Sequence, residues 1–307
     1  MTKILVATVK PFAPVAIDEM RKVVQEAGNE LILLEKYKDQ NELKNAVKNV
    51  DALIVRSDIV DREIIEAGDN LKIVVRAGAG YDNIDLEAST EKNIVVMNTP
   101  GQNANAVAEL AFGMMLYLVR NGFNGTAGTE LRNKSLGIHG YGHIGRIITL
   151  IGQGFGMKGL AHDPYIDKII IENDGVVRCS VSEELYTKSQ YISVNLPINN
   201  ETDNLIGFDL LSKMPKNPVL VNTARKEIID EEGLLKTFAE RPDFRYAADI
   251  APDCKAEIES KYPGRFFFTP KKMGAQTAEA NINAGIAAAS QIVAFLKRGD
   301  TTYQVNK

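Results

Sequence analysis

The sequence predicts an α/β protein made of two doubly wound parallel sheets, and three observations point there. Its short Val/Ile/Leu-rich runs are apolar throughout instead of alternating, the mark of strands covered on both faces. Segments of helical period separate those runs. The alternation also occurs twice, once from the start of the chain and again from near Leu136.

In the first series the strands are "KILVATV" (3–9), "ELILLE" (30–35), "ALIVR" (52–56) and "KIVVRAGAG" (72–80). The helices between them are "PVAIDEMRKVVQEAG", "NELKNAVKNV" and "REIIEAG". In the second series, "LGIHG", "GLAHD", "YISVNL", "VLVNTA", "YAADI" and "RFFFT" read as strands. A long helix is expected over 103–121 between the two series and another over 277–297 at the end. Both are long enough to cross between domains. The last is expected to return to the first unit, giving a discontinuous domain (1–99 and 278–307) around a second one (100–277).

The 307 residues are 45% hydrophobic and 25% charged, which suits a soluble chain with two domains of average size. The 40 acidic and 36 basic residues are spread without long single-sign runs, so neither nucleic acid nor a membrane surface is expected as a partner. Two cysteines, Cys179 and Cys254, have no metal-ligand spacing and form no disulfide framework, so no metal is expected. The opening "MTKILVATVKPFAP" lacks the features of a signal peptide, and the most apolar helical stretch is interrupted by Glu109. A cytoplasmic setting is expected.

"GYGHIG" carries Gly140, Gly142 and Gly145 after a strand and at the start of a helix. Gly140 permits the tight turn, Gly142 lets backbone amides approach a pyrophosphate, and Gly145 lets helix pack on strand. Asp163 ends the next apolar run, where a carboxylate accepts from ribose hydroxyls and repels a 2′-phosphate. This predicts a Rossmann unit that binds NAD in preference to NADP. All three histidines, His139, His143 and His162, fall inside this fingerprint and read as packing or phosphate-side residues.

Ligands of open parallel sheets bind beyond the carboxyl ends of the strands. In the first unit that places Lys10, the pair Arg56-Ser57 and Arg76 at one edge, which suggests a small anionic substrate. Arg76, beside a glycine turn, reads better as a structural brace, whereas Arg56 and Ser57 suit a phosphate. The glycines of "AGAGYDN" expose amides around Ala79 and Gly80 that suit a carboxylate, and Asp82 and Asp85 read as local caps.

Taken together, "RAGAGYDNID", "NTPGQNANAVAEL", "GYGHIG" with Asp163, "LVNTARKEIIDEEGL", "AADI" and "MGAQTAEAN" resemble the D-isomer-specific 2-hydroxyacid dehydrogenases over nearly the whole chain. Within that family the chain is most similar to short D-3-phosphoglycerate dehydrogenases that carry lysine where others carry a catalytic histidine. The resemblance implies a flavodoxin-like substrate domain beside the Rossmann domain. It also implies a substrate carboxylate on Arg225, a substrate-side amide at Asn103 and a distal phosphate on Arg56-Ser57. On the cofactor side it implies Tyr141, His143, Ile144, Leu196, Pro197, Thr223, Ala224, Asp249, Gly274 and Ala275, with Asp249 on the nicotinamide carboxamide.

The chain departs from the family at two positions. The histidine position falls on Lys272, with Lys271 the alternative, and the family glutamate falls on Cys254, with Asp253 the nearest substitute carboxylate. The two changes fit together: a carboxylate raises the pKa of its partner, which helps an imidazole but hinders a lysine base. The expected reaction is NAD-linked oxidation of D-3-phosphoglycerate. Two alternatives remain open, a glycerate or glyoxylate (hydroxypyruvate) reductase and a non-catalytic NAD-responsive protein. The resemblance further implies a homodimer through the glycine-fingerprint domain, with Arg132 or Lys134 reaching the partner, and no serine-sensing domain after "TTYQVNK".

Overall fold

In the computed structural model, which describes residues 1–307, the first strands are built almost wholly from apolar side chains. The chain runs β1 (Lys3–Thr8), α1 (Pro14–Glu26), β2 (Glu30–Glu35), α2 (Gln40–Ala46), β3 (Ala52–Val55), α3 (Arg62–Ala67), β4 (Ile73–Arg76), α4 (Leu86–Glu91) and β5 (Val95–Asn98). These strands form one parallel sheet in the order β2-β1-β3-β4-β5. Every residue of β3 is buried, and each Leu or Ile so placed contributes about 1.5–3 kcal/mol. Helix α1 starts on Pro14 and buries Ala16, Ile17, Met20 and Val24, an i, i+3/i+4 stripe. Asp39, Asp61 and Asp85 cap α2, α3 and α4.

The second series begins with α5 (Ala104–Val119) and continues through β6 (Ser135–His139), α6 (His143–Gly154), β7 (Lys158–His162), α7 (Lys168–Asn173), β8 (Val177–Arg178), α8 (Ser182–Lys188) and β9 (Tyr191–Val194). It ends with α9 (Phe208–Leu211), β10 (Val219–Asn222), α10 (Glu231–Glu240), β11 (Arg245–Ala248), α11 (Lys255–Lys261) and β12 (Phe266–Phe268). The seven strands are parallel in the order β12-β11-β10-β9-β6-β7-β8. One face packs on α5 and α6 through residues such as Phe112, Met115 and Ile148. The other packs on α8 and α10 through Leu185, Tyr186, Leu234 and Phe238.

The last helix, α12 (Ala278–Arg298), lays Ala284, Ala288, Ala289 and Ile292 against the first sheet, in one core with Ile4, Val6 and Met20. The chain divides into Met1–Asn103 with Gln276–Lys307 (unit 1) and Ala104–Ala275 (unit 2). The tail closes the free edge of β5: Val305 donates to Val96 O at 2.9 Å, and Asn306 accepts from Val96 N and donates to Ile94 O.

The sequence pattern named no helix at α4 and no strand at β5 or β8; of these β8 has only two residues, one of them exposed, too few for a period to register.

Candidate active site

In unit 2, strand order reverses at β6: β7 and β8 follow on one side and β9 to β12 on the other. Such a switch point opens a crevice at the carboxyl ends. Gly140 turns there with φ of +92°, and a Cβ on it would lie 2.8 Å from Asn195 O. A Cβ on Gly145 would lie 2.3 Å from Gly140 O, so that glycine is fixed by packing.

Gly142 is different, because a Cβ there would meet nothing within 4 Å. It is the N-cap of α6 and offers no side-chain acceptor, whereas α7, α10 and α12 are capped by Asp167, Asp230 and Thr277. The first-turn amides, those of His143 and Ile144 among them, therefore face open space at the positive end of a helix. Asp163, just past β7, accepts from Tyr141 N at 2.7 Å and Tyr165 N at 2.9 Å, so it splints the turn. The Tyr141 side chain is buried and reaches Asp174 at 3.1 Å.

The histidines lie beneath or beside this turn. Buried His139 has its Nδ1 3.3 Å from the Tyr186 hydroxyl and its ring 5.6 Å from that of His162. Burial, and then the neighbouring His162, push the His139 pKa down to about 3. It is neutral at ordinary pH. His162 faces the Cys179 carbonyl at 3.1 Å, and His143 is exposed at the start of α6.

The loop after β12 is held by Asp249, which is 2% exposed. Its Oδ1 accepts from Met273 N and its Oδ2 from Gly274 N, both at 2.8 Å, and the Thr269 hydroxyl lies 3.1 Å from Oδ1. A Cβ on Gly274 would come within 2.9 Å of Oδ2. Both carboxylate oxygens thus already anchor the turn that exposes Lys271 and Lys272 immediately before Met273 and leads into Ala275.

After β10, Asn222 Oδ1 accepts from Ala224 N at 2.9 Å and its Nδ2 donates to Arg225 O at 2.8 Å, a local turn that presents Arg225. The Arg225 guanidinium donates only to Ala224 O, at 3.0 Å, and forms no ion pair. The hydroxyl of buried Thr223 has no partner in the protein. Leu196 and Pro197 lie in the loop after β9, where Pro197 O accepts from Thr202 at 2.6 Å.

Glu231 was not singled out in the sequence, yet it grips the Cys254 segment. Its two oxygens accept from Asp253 N at 2.6 Å and Cys254 N at 2.7 Å. Burial, followed by Glu231, pushes the Cys254 thiol up to about 12. The Asp253 carboxylate is paired with Lys226 at 2.6 Å. A neutral thiol therefore stands where the resemblance implied a glutamate, and the adjacent acid is engaged by Lys226.

In unit 1, Arg56 donates to Lys10 O at 2.9 Å and Pro11 O at 3.2 Å, bonds Asn281, and packs over Phe12 at 5.0 Å. Burial lowers its pKa. Ser57 is exposed and shares a cavity with Lys10 that the Arg56 guanidinium does not line. Arg76 donates to Arg56 O at 2.9 Å and covers Gly78. Ala79 is exposed, with its carbonyl accepting from Asn98 at 2.6 Å; Gly80 and Asn103 are half-buried. Asp58, absent from the sequence expectations, accepts from Val9 N at 2.7 Å, the Tyr37 hydroxyl at 2.9 Å and Arg56 N at 3.3 Å. No signal marks it, because its partners lie on three different strand exits.

Residues 6–306 match the family model described as D-isomer specific 2-hydroxyacid dehydrogenase, catalytic domain. A D-3-phosphoglycerate dehydrogenase of Methanocaldococcus jannaschii is 34% identical over 290 residues, covering 90% of this chain and 55% of the relative. A hydroxypyruvate reductase of Thermotoga maritima is 36% identical over 281 residues, 86% of this chain and 90% of the relative. The chain spans about half the length of several curated relatives it matches. Among solved structures, NAD+-bound 3-phosphoglycerate dehydrogenase of Entamoeba histolytica is 49% identical with a TM-score of 0.86, over 100% of this chain and 99% of that one. No helix is long and apolar enough to cross a membrane. On the strength of the family match, this chain belongs to the D-isomer specific 2-hydroxyacid dehydrogenases.

Proposed function

We propose that the chain is an NAD-dependent dehydrogenase that oxidises D-3-phosphoglycerate to 3-phosphohydroxypyruvate, the entry step of serine synthesis. The observation that carries the cofactor is Gly142, where the missing side chain leaves an opening over unclaimed helix amides while Gly140 and Gly145 serve packing. A pyrophosphate fits that opening. In this reading Asp163 takes the ribose hydroxyls and disfavours a 2′-phosphate, Leu196, Pro197, Ala224, Gly274 and Ala275 attend the rest of the cofactor, and the unpartnered Thr223 hydroxyl suits a further polar contact. The Entamoeba relative carries NAD+.

Bound there, NAD+ supplies the acceptor for the hydride leaving C2. Arg225, with no competing carboxylate, offers two parallel donors to the α-carboxylate and the reacting oxygen. Lys272 takes the C2 hydroxyl proton. The turn that follows it is anchored by Asp249 beneath, and a thiol, that of Cys254, stands where the resemblance implied a glutamate. The Ala79 and Gly80 amides and Asn103 attend the carboxylate end, while Arg56, Ser57 and Lys10 attend the phosphate. A homodimer through unit 2, with Arg132 or Lys134 contributing, accords with Phe123 and Leu150 left 66% and 68% exposed; sedimentation tests it.

Lys272→Ala is expected to lower kcat by about 10²- to 10⁴-fold with NADH binding intact. Near-full turnover in that variant would transfer the role to Lys271. Gly142→Val is expected to fold and lose cofactor affinity. The Thermotoga relative favours a second reading, hydroxypyruvate reduction, and the ratio of kcat/KM for phosphoglycerate and D-glycerate decides between them. Tight NADH binding with no turnover of either acid would instead indicate a non-catalytic binding protein.

A further inference from the structure

Unit 1 contains a cavity of 740 Å³ at the carboxyl ends of β1, β2 and β3. That is the switch point of this sheet, where β2 and β3 lie on opposite sides of β1. Lys10, Lys36 and Lys38 line it, and none of the three is in an ion pair, although eight other lysines are. Its two carboxylates are already engaged. Asp58 accepts from Val9, Tyr37 and Arg56, and Asp39 accepts from the Asn41 amide and side chain. The exposed Ser57 hydroxyl makes no hydrogen bond within the protein.

Two further features mark the same place. Lys36 has φ of +57°, a left-handed conformation that costs a side-chain-bearing residue about 1–2 kcal/mol and is held here by its amide bond to Thr8 O at 3.0 Å. Val9 and Ile59 at the cavity are 50% and 60% exposed, leaving apolar surface beside the cations.

We infer that this cavity binds a small organic phosphate, with the phosphate held by Lys10, Lys36, Lys38 and the Ser57 hydroxyl and the carbon skeleton lying on Val9 and Ile59. Compact ammonium groups and a hydroxyl suit a phosphate dianion. The site includes Lys10 and Ser57, two of the three residues placed at the substrate phosphate above, and adds Lys36 and Lys38; the Arg56 guanidinium, turned to Phe12 and Asn281, does not line it. It does not depend on the hydride-transfer reading, because binding is measured without turnover.

The test is a titration of the ¹⁵N-labelled full chain with inorganic phosphate at ionic strength matched by chloride. Saturable shifts are expected at the amides of residues 36–40 and 57–59. Lys36→Ala/Lys38→Ala is expected to weaken binding about tenfold or more, with the unfolding midpoint and NADH affinity unchanged. Shifts elsewhere, no saturation, a chloride response of the same size or equal affinity in the double variant would each overturn the inference. Should the double variant fail to fold, Lys38→Gln is read in the same titration, with about a threefold loss expected and no change overturning it. Adding phosphoglycerate separates the two sources of the phosphate: displacement identifies the substrate's own, and undisturbed binding identifies a separate phosphorylated effector.

Discussion

Asp58 in unit 1 and Asp249 in unit 2 are both buried carboxylates at the carboxyl ends of parallel strands, and both fix ligand-side loops by accepting backbone amides. Their reach differs. Asp249 takes two consecutive amides of one turn, at Met273 and Gly274, and that turn needs glycine because a Cβ would crowd the carboxylate at 2.9 Å. Asp58 joins the exits of three strands through Val9, Tyr37 and Arg56. A local clamp sets one residue's position, whereas a three-way clamp shapes a cavity.

The comparison is broken most sharply by deleting each carboxylate. Asp249→Ala strands the buried Gly274 amide and the partly buried Met273 amide, while the Thr269 hydroxyl keeps its 2.7 Å bond to Asp249 O, and is expected to cost about 3–5 kcal/mol in urea unfolding. Asp249→Asn keeps the volume and one acceptor, and about half that cost is expected. If hydrogen exchange in Asp249→Asn is enhanced only around 270–275, the clamp is local; exchange raised throughout unit 2 would contradict this. Asp58→Ala is expected to cost about 2–4 kcal/mol, since part of its surroundings can hydrate. Exchange should then rise at three separate segments, after β1, β2 and β3, and a rise confined to one of them would remove the contrast.

The two clamps also show what a sequence displays. Strands such as β3 and β10 are legible because β3 is wholly apolar and β10 apolar up to Asn222, and the glycine turn because its spacing reports a backbone requirement. Asp249 could be flagged as a residue but not assigned its partners, since the amides it accepts from lie 24 and 25 positions away. Asp58 bonds residues 49 and 21 positions distant and carries no local mark. Glu231 is similar, bridging 22 and 23 positions to hold Asp253 and Cys254. The lysines of the unit 1 cavity lie in separate loops, and only the sheet order brings them together. Arg56 and Ser57 are adjacent in sequence and read as one phosphate grip, yet the Arg56 guanidinium lies over Phe12 and bonds Asn281 while Ser57 lines the cavity with Lys10.

A smaller effect tests the neutral interior below the glycine turn. His139 is held near a pKa of 3 by burial, so unfolding takes up a proton between about pH 3 and 6.5. Stability from this group is complete above that pH and is lost as pH falls toward 3. By pH 5 the loss is expected to reach about 2 kcal/mol, and replacing the imidazole with His139→Phe should flatten the pH dependence between 6.5 and 5. An unchanged slope would mean that the histidine titrates normally in the fold. Unit 1 has no histidine and should show no matching response.

The smallest effect concerns the Cys254 thiol. With its pKa raised to about 12, Cys254 is almost wholly protonated at pH 8, and alkylation there is expected to be about a thousandfold slower than for an ordinary cysteine. Cys179, pushed up to about 11 and buried, should be as quiet. Burial is the larger cause at Cys254 and Glu231 the next, so Glu231→Gln should speed alkylation there by about tenfold and leave Cys179 unchanged. Fast labelling of Cys254 in the wild-type chain would show an ionisable thiol, and the reading of that position as an uncharged replacement for a carboxylate would fail.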